Sequence, residues 1–267
     1  MQMRKSFFGP LAFFLVLLAN SASSRAAKHE TGFLDRTVQV AGVTYKFQVF
    51  VPDNWNKDQR WPVILFLHGA GERGEDGLIQ TEVGFGTAVR RSRIHFPAVV
   101  VFPQCRKDQW WTLSPMDEMA MKALEQASRE FRGDPQRTYL TGISMGGYGT
   151  WHLAEKYTHH FAALVPVCGG IIAPARLGFP PNTSPHPYED AAKQIGQVPV
   201  WIFHGGDDNV VPTDESRKMN EAMRAIGGEV KYTEYPGVGH ESWNKAYAED
   251  ELLPWLLSKK RTDANVK

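Results

Sequence analysis

Apolar and polar residues alternate strictly in one early stretch, where Tyr45, Phe47, Val49 and Val51 recur at every second position. That is the period of a strand with one buried face. With residues 36–40 before it and Ala41-Gly42 at the join, the pattern predicts a β-hairpin. Further on, alternation gives way to short continuous apolar runs: 62–67 (PVILFL), 98–102 (AVVVF), 138–141, 163–167, 198–203 (VPVWIF) and 229–235. Runs of that length read as strands covered on both faces. Between them the apolar spacing changes to the helical period, predicting helices over 114–131, 146–157, 213–226 and 243–257. The third ends at Gly227-Gly228, as a helix stop should. Strand and helix alternate, so the chain is expected to form an α/β domain. Its mostly parallel central sheet carries helices on both faces and opens with an antiparallel hairpin. The Pro-rich stretch 171–187 has no period and follows a strand end, so it is expected to lie over the face where loops gather.

The first residues follow a different rule. Arg4 and Lys5 precede an apolar stretch at 7–19 interrupted by Pro10, and small or polar residues fill 20–27. This is the pattern of a secretory leader. The run is too short for a spanning helix, which takes roughly 20 apolar residues. We expect residues 1–26 to be removed and 27–267 to form one domain, exported to the periplasm or medium, with no stable membrane insertion after cleavage.

Composition changes this picture little. The net charge is +1 and 42% of residues are hydrophobic, the make-up of a globular protein. No basic run is long enough to track phosphates, which excludes nucleic acid as a partner. Cys105 and Cys168 follow strands that are not expected to be neighbours, so two separate buried thiols are expected rather than a disulfide. The pattern specifies no oligomeric state.

The strongest chemical signal is Gly142-Ile143-Ser144-Met145-Gly146-Gly147, lying after one predicted strand and before a helix. Small residues two before and two after the serine permit the tight, strained turn of a nucleophile elbow. The helix N-terminus behind it favours developing negative charge. A hydroxyl needs a base to take its proton, and in chains with this elbow the acid and the histidine follow in that order. Asp207 and Asp208 both stand in the loop after 198–203, and His240 is the single histidine of the loop after 229–235. His68 and His204 end strands and are expected to support loops, while His152, His159 and His160 fall on or beside a helix. For the oxyanion, one backbone N–H is expected from Met145 and the second from Ala70, in the glycine-rich loop after 62–67. In that loop Glu72 and Arg73 are read as a brace.

These segments resemble the α/β-hydrolases related to polyhydroxybutyrate depolymerases, feruloyl and acetyl-xylan esterases, and dienelactone hydrolase. The resemblance runs over about 37–257. It is carried by Leu67 to Gly74, Phe102-Pro103-Gln104-Cys105, Tyr139 to Trp151, Val167-Cys168-Gly169-Gly170 and the Asp208 and His240 loops. It implies the α/β-hydrolase fold and a triad of Ser144, Asp208 and His240. Asp208 is preferred over Asp207 because Asn209-Val210-Val211-Pro212 follows it in the group's pattern. The stretch 171–187 is longer than in compact relatives, a departure that bears on pocket shape.

The chemistry implied is cleavage of carboxylic esters by a serine hydrolase without metal or organic cofactor. The expected substrate is a small-molecule or polysaccharide-linked ester. Trp110, Trp111 and Trp243 fall near the catalytic end of the sheet and are candidates for binding it. Two other readings fit parts of the pattern. A prolyl-oligopeptidase-like peptidase shares the triad but usually brings a large additional domain. A non-catalytic glycan-binding module has no use for all three triad residues.

Overall fold

The computed structural model of the protein describes residues 30–179 and 181–261. The expected leader, 1–26, lies outside the described residues. Among them, eight strands form one sheet: β1 (Gly32–Val40), β2 (Val43–Val51), β3 (Trp61–Leu67), β4 (Val99–Pro103), β5 (Gly133–Ile143), β6 (Ala163–Val167), β7 (Val200–Gly205) and β8 (Val230–Tyr235). Their order across the sheet is β1-β2-β4-β3-β5-β6-β7-β8. The expected hairpin forms, with Val40 opposite Val43. Ala41 and Gly42 both take positive φ at the turn, 48° and 79°, matching the twist of the flanking strands. β2 pairs antiparallel with β4, and all later pairings are parallel. This is the α/β-hydrolase fold.

β3 shows why the sheet is covered on both sides. All seven of its residues are buried. Val63, Leu65 and Leu67 enter one core with Trp111, Trp151 and Met119, whereas Ile64 and Phe66 enter the other with Phe85, Phe102 and Phe203. Helices α2 (Met116–Glu130), α3 (Met145–Lys156), α4 (Pro187–Ile195) and α5 (Asp214–Ala225) contribute to the first core. The second is closed by α1 (Phe85–Arg91), α6 (Trp243–Ala246) and α7 (Leu252–Ser258). Each fully buried large side chain contributes about 1.5–3 kcal/mol, so the sheet is a stiff frame for the loops at its ends.

Three local readings are corrected. The single helix expected over 243–257 is two short ones, α6 and α7. Pro254 has no N–H to bond the carbonyl of residue 250, so it sits in the first turn of α7, where none is needed. α1 and α4 were not expected: α1 has only seven residues, and α4 starts where the aperiodic stretch ends, with Pro187 in its first turn. β5 begins at Gly133, well before 138, because its polar opening residues escape an apolar pattern. Cys105 and Cys168 are both buried and free. β3 and β5 lie between the strands they follow, so about 14 Å of sheet separates them, beyond the reach of a disulfide.

Candidate active site

β5 ends at Ile143 and α3 begins at Met145, leaving Ser144 to make the whole reversal, at φ 51° and ψ −115°. A non-glycine residue in that region stores about 1–3 kcal/mol of strain. The surroundings hold it there: the Ser144 N–H donates to the Val167 carbonyl at 2.9 Å, and the Gly147 N–H to the Ser144 carbonyl at 2.8 Å. The glycines are demanded by close approach. A Cβ on Gly146 would stand 1.9 Å from the Leu67 carbonyl oxygen, and one on Gly142 2.2 Å from that of Gly146.

The loops after β7 and β8 are laced together by the Gly206 N–H on the Tyr235 carbonyl and the Asp207 N–H on that of Val238, both at 2.9 Å. This brings Asp208 and His240 to the elbow. His240 Nδ1 lies 2.7 Å from Asp208 Oδ2, and His240 Nε2 lies 2.9 Å from Ser144 Oγ. The Asp208 side chain is fully buried. Burial pushes its carboxyl up, but hydrogen bonds from His204, His240 and the Val211 N–H outweigh that and hold it well below the ordinary carboxylate range. An ionised carboxylate only accepts. His240 Nδ1–H therefore donates to Asp208, and Nε2 is left to accept the Ser144 hydroxyl proton. The second carboxylate oxygen receives the N–H groups of Val210 and Val211 at 2.8 and 2.9 Å. The neighbouring Asp207 is exposed.

His204 and His68 lie behind the site. His204 Nε2 faces both Asp208 Oδ2 and the Val211 carbonyl at 3.2 Å, so it carries the proton. Nδ1 then accepts the Ser216 hydroxyl at 2.6 Å. Burial lowers the His68 pKa to about 4, which keeps the ring neutral. Its Nε2 accepts the Cys105 N–H at 2.9 Å, and Nδ1–H donates to the Gly69 carbonyl at 2.6 Å. That bond fixes the loop carrying Ala70. Ala70 opens a one-turn 3-10 helix, and Met145 opens α3. N–H groups in a helix's first turn have no acceptor within the helix.

A cleft of about 550 Å³ lies over these groups, lined by Ala70, Ser144, Met145, His240, Trp110 and Trp243 among others. Trp111 does not reach it. That ring is fully buried, donates through Nε1 to the His68 carbonyl at 3.0 Å, and packs on Gly149. It latches the loop from beneath, and we withdraw it as a contact for substrate. Arg73 braces the same loop: Nε donates to the Ala70 carbonyl at 3.0 Å, with the guanidinium 4.8 Å above the Trp110 ring. Glu72 also lines the cleft, and burial raises its carboxyl pKa.

From the 171–187 stretch, expected over the catalytic face, Arg176, Leu177 and Phe179 line the cleft. Phe179 packs against Trp110 at 4.2 Å and against Tyr148 at 4.7 Å between ring centroids. Arg176 Nη2 donates to the Val210 carbonyl at 2.6 Å. Tyr148 itself was legible in principle, since it stands one helical turn beyond Ser144 on the same face. Cys168, Asp208 and His240 bring potential ligand atoms within 4.8 Å of one another. Burial raises the Cys168 thiol well above its ordinary value, and a protonated thiol is a poor metal ligand.

The model of the dienelactone hydrolase family matches residues 104–252. Over 217 residues the chain is 27% identical to an uncharacterised secreted protein of Arthroderma benhamiae, covering 70% of this chain and 22% of that protein. Over 181 residues it is 26% identical to a bifunctional acetylxylan esterase/xylanase of Neocallimastix patriciarum, covering 64% and 22% respectively. The chain thus spans about a fifth of the length of these two curated relatives. Among solved structures, a thermostable esterase matches with a TM-score of 0.74 at 33% identity, covering 86% of this chain and 63% of that one.

Proposed function

The chain belongs to the dienelactone hydrolase family, and from that premise we propose that it is a serine hydrolase cleaving carboxylic esters through an acyl-enzyme. The observation that carries this is the continuous line from Ser144 Oγ through His240 to the buried Asp208 carboxylate, with links of 2.9 and 2.7 Å. His240 Nε2 takes the hydroxyl proton as Ser144 Oγ bonds to the ester carbonyl carbon. Asp208 holds the imidazole in the required tautomer and stabilises its charged form. The carbonyl oxygen, now negative, is met by the N–H groups of Ala70 and Met145. When the tetrahedral species collapses, the alcohol leaves with the proton held by His240. Water, deprotonated by the same imidazole, then releases the acid and restores the serine. A hydrogen bond to such an oxyanion is worth about 2.7–4 kcal/mol, so the Ala70 loop rivals the triad in importance.

Substrate class follows from the cleft and from the relatives. Trp110 and Trp243 supply flat apolar walls, and a similar protein is named as an acetylxylan esterase/xylanase. We place the substrate among extracellular esters borne on polysaccharide or on small molecules. Export rests on the pattern of residues 1–27, and a similar protein is named as secreted. Among the described residues, no helix is long and apolar enough to cross a membrane.

The test is Ser144→Ala. Hydrolysis of 4-nitrophenyl acetate should fall at least about a thousandfold with the far-UV circular dichroism unchanged, and labelling by a fluorophosphonate should vanish. Retained turnover in that variant would remove Ser144 from the chemistry.

A further inference from the structure

One buried carboxyl group closes the loop that walls the catalytic cleft. Glu215 lies in the first turn of α5 and is only 7% exposed. Its Oε2 accepts the N–H groups of Ile171 and Ile172, both at 2.9 Å, and its Oε1 accepts the Tyr188 hydroxyl at 2.7 Å. These donors come from the two ends of the Pro-rich stretch. Ile171 and Ile172 open it, and Tyr188 follows it in the first turn of α4. Gly170 leaves the room, since a Cβ there would stand 2.5 Å from Glu215 Oε2. Oxygens taken out of water must recover their hydration from such bonds, and here both recover it from the neck of one loop.

The far part of the same loop faces the cleft. Arg176, Leu177 and Phe179 line it, with Phe179 against the Trp110 and Tyr148 rings. Arg176 Nη2 donates to the Asn209 and Val210 carbonyls at 3.2 and 2.6 Å, but the residue itself is exposed, where water competes for such bonds. The enclosed fastening is the one at the neck. Loops whose ends are held together in this way act as compact units and are frequently functional. The triad is held separately, by the turns after β5, β7 and β8, so this wall can be loosened without dismantling the chemistry.

We infer that Glu215 is a positioning residue for substrate selection: by fastening both ends of the 171–187 stretch it holds Arg176, Leu177 and Phe179 at the cleft, and so favours esters bulky enough to reach that wall over small ones. The inference deepens the esterase reading and rests on it. It goes further in naming the group, outside the cleft, on which the preference depends.

The test compares methyl acetate with two bulky esters, 4-nitrophenyl octanoate (long acyl chain) and 2-naphthyl acetate (wide alcohol). In Glu215→Ala, the kcat/KM ratio of at least one bulky ester to methyl acetate should fall about tenfold, through KM rather than kcat. Glu215→Gln keeps an acceptor for the paired N–H groups and offers an N–H to the Tyr188 oxygen, so it should restore most of that ratio. Tyr188→Phe removes one bond of the clamp and should lower the ratio about threefold, which keeps the test open if Glu215→Ala fails to fold. Trypsin reads the loop apart from turnover: cleavage after Arg176 should be at least about tenfold faster in Glu215→Ala than in the wild type. Ratios unchanged for both bulky esters, equal losses on all three, or Glu215→Gln no better than Glu215→Ala would each overturn the inference. A wild type that turns over none of the three esters is a separate result, which counts against the hydrolase reading while trypsin still decides the clamp.

Discussion

His204 Nε2 lies 3.2 Å from Asp208 Oδ2, the same carboxylate oxygen that meets His240. Two imidazoles therefore converge on one oxygen, one from β7 and one from the loop after β8. His204 is fully buried and anchored through Nδ1 to Ser216, so it acts as a positioning residue for Asp208. His204→Phe removes the donor to Asp208 and strands the Ser216 hydroxyl. We expect kcat for 4-nitrophenyl acetate to fall about tenfold or more with KM little changed, and the melting temperature to fall by several degrees. A variant that only melted earlier, with kcat intact at low temperature, would reduce His204 to a packing role.

The adjacent carboxylates separate cleanly by burial. Asp208 is enclosed with three donors on it besides His240, whereas Asp207 is exposed. Asp208→Asn should lower kcat by about 10⁴, because the amide no longer fixes the imidazole tautomer. Asp207→Asn should leave kcat within about twofold. Steady-state kinetics on the two variants decides the assignment, and the reverse ranking would move the acid to Asp207.

A third carboxylate contributes to acid stability. The Asp117 side chain is almost fully buried beneath Lys156 Nζ at 2.6 Å and His152 Nε2 at 3.2 Å. Burial pushes its pKa up, but hydrogen bonds from His152, Lys156 and the Glu118 N–H lower it overall from 3.8 to about 2. A carboxyl whose folded pKa is depressed stabilises the protein above its unfolded value and loses that contribution as pH falls through the folded one. Asp117 thus contributes roughly 2 kcal/mol at neutral pH that disappears between about pH 4 and pH 2. Urea melts of wild type and Asp117→Asn across that range should converge at the acid end. A gap independent of pH would contradict the ion-pair origin.

The elbow leaves no room for a methyl group at Gly146, where an added Cβ would meet the Leu67 carbonyl at 1.9 Å. Because the obstruction is backbone on a central strand, it cannot be relieved by rotating a side chain. Gly146→Ala should cost about 3 kcal/mol or more, read as a lowered urea midpoint or as loss of soluble protein. Near-native stability would require that β3 and α3 separate more easily than their packing implies.

Much of this architecture was legible because it is written in short periods. The VPVWIF and PVILFL runs read as strands covered on both sides, and the glycines around Ser144 announce a tight turn. What was hidden has no period. Trp110 and Trp111 are adjacent in a loop, and only the fold decides that one faces the cleft while the other props His68. The 171–187 stretch carries no alternation, so the roles of Arg176 and Phe179 emerge only from the partners they meet. The choice of Asp208 over Asp207 rested on the Asn209-Val210-Val211-Pro212 resemblance, and the Val210 and Val211 N–H groups on Asp208 Oδ1 supply its physical reason.

The order in which these pieces leave the ribosome has a consequence of its own. His240 is translated 96 positions after Ser144, and the strand that delivers it, β8, is the outermost at its end of the sheet and only half-enclosed throughout. On the proposed mechanism, the Ser144 hydroxyl therefore gains its base only once that border has docked. In the finished molecule the same border is the first to fray, so turnover should be silenced by mild denaturation before the bulk of the protein melts.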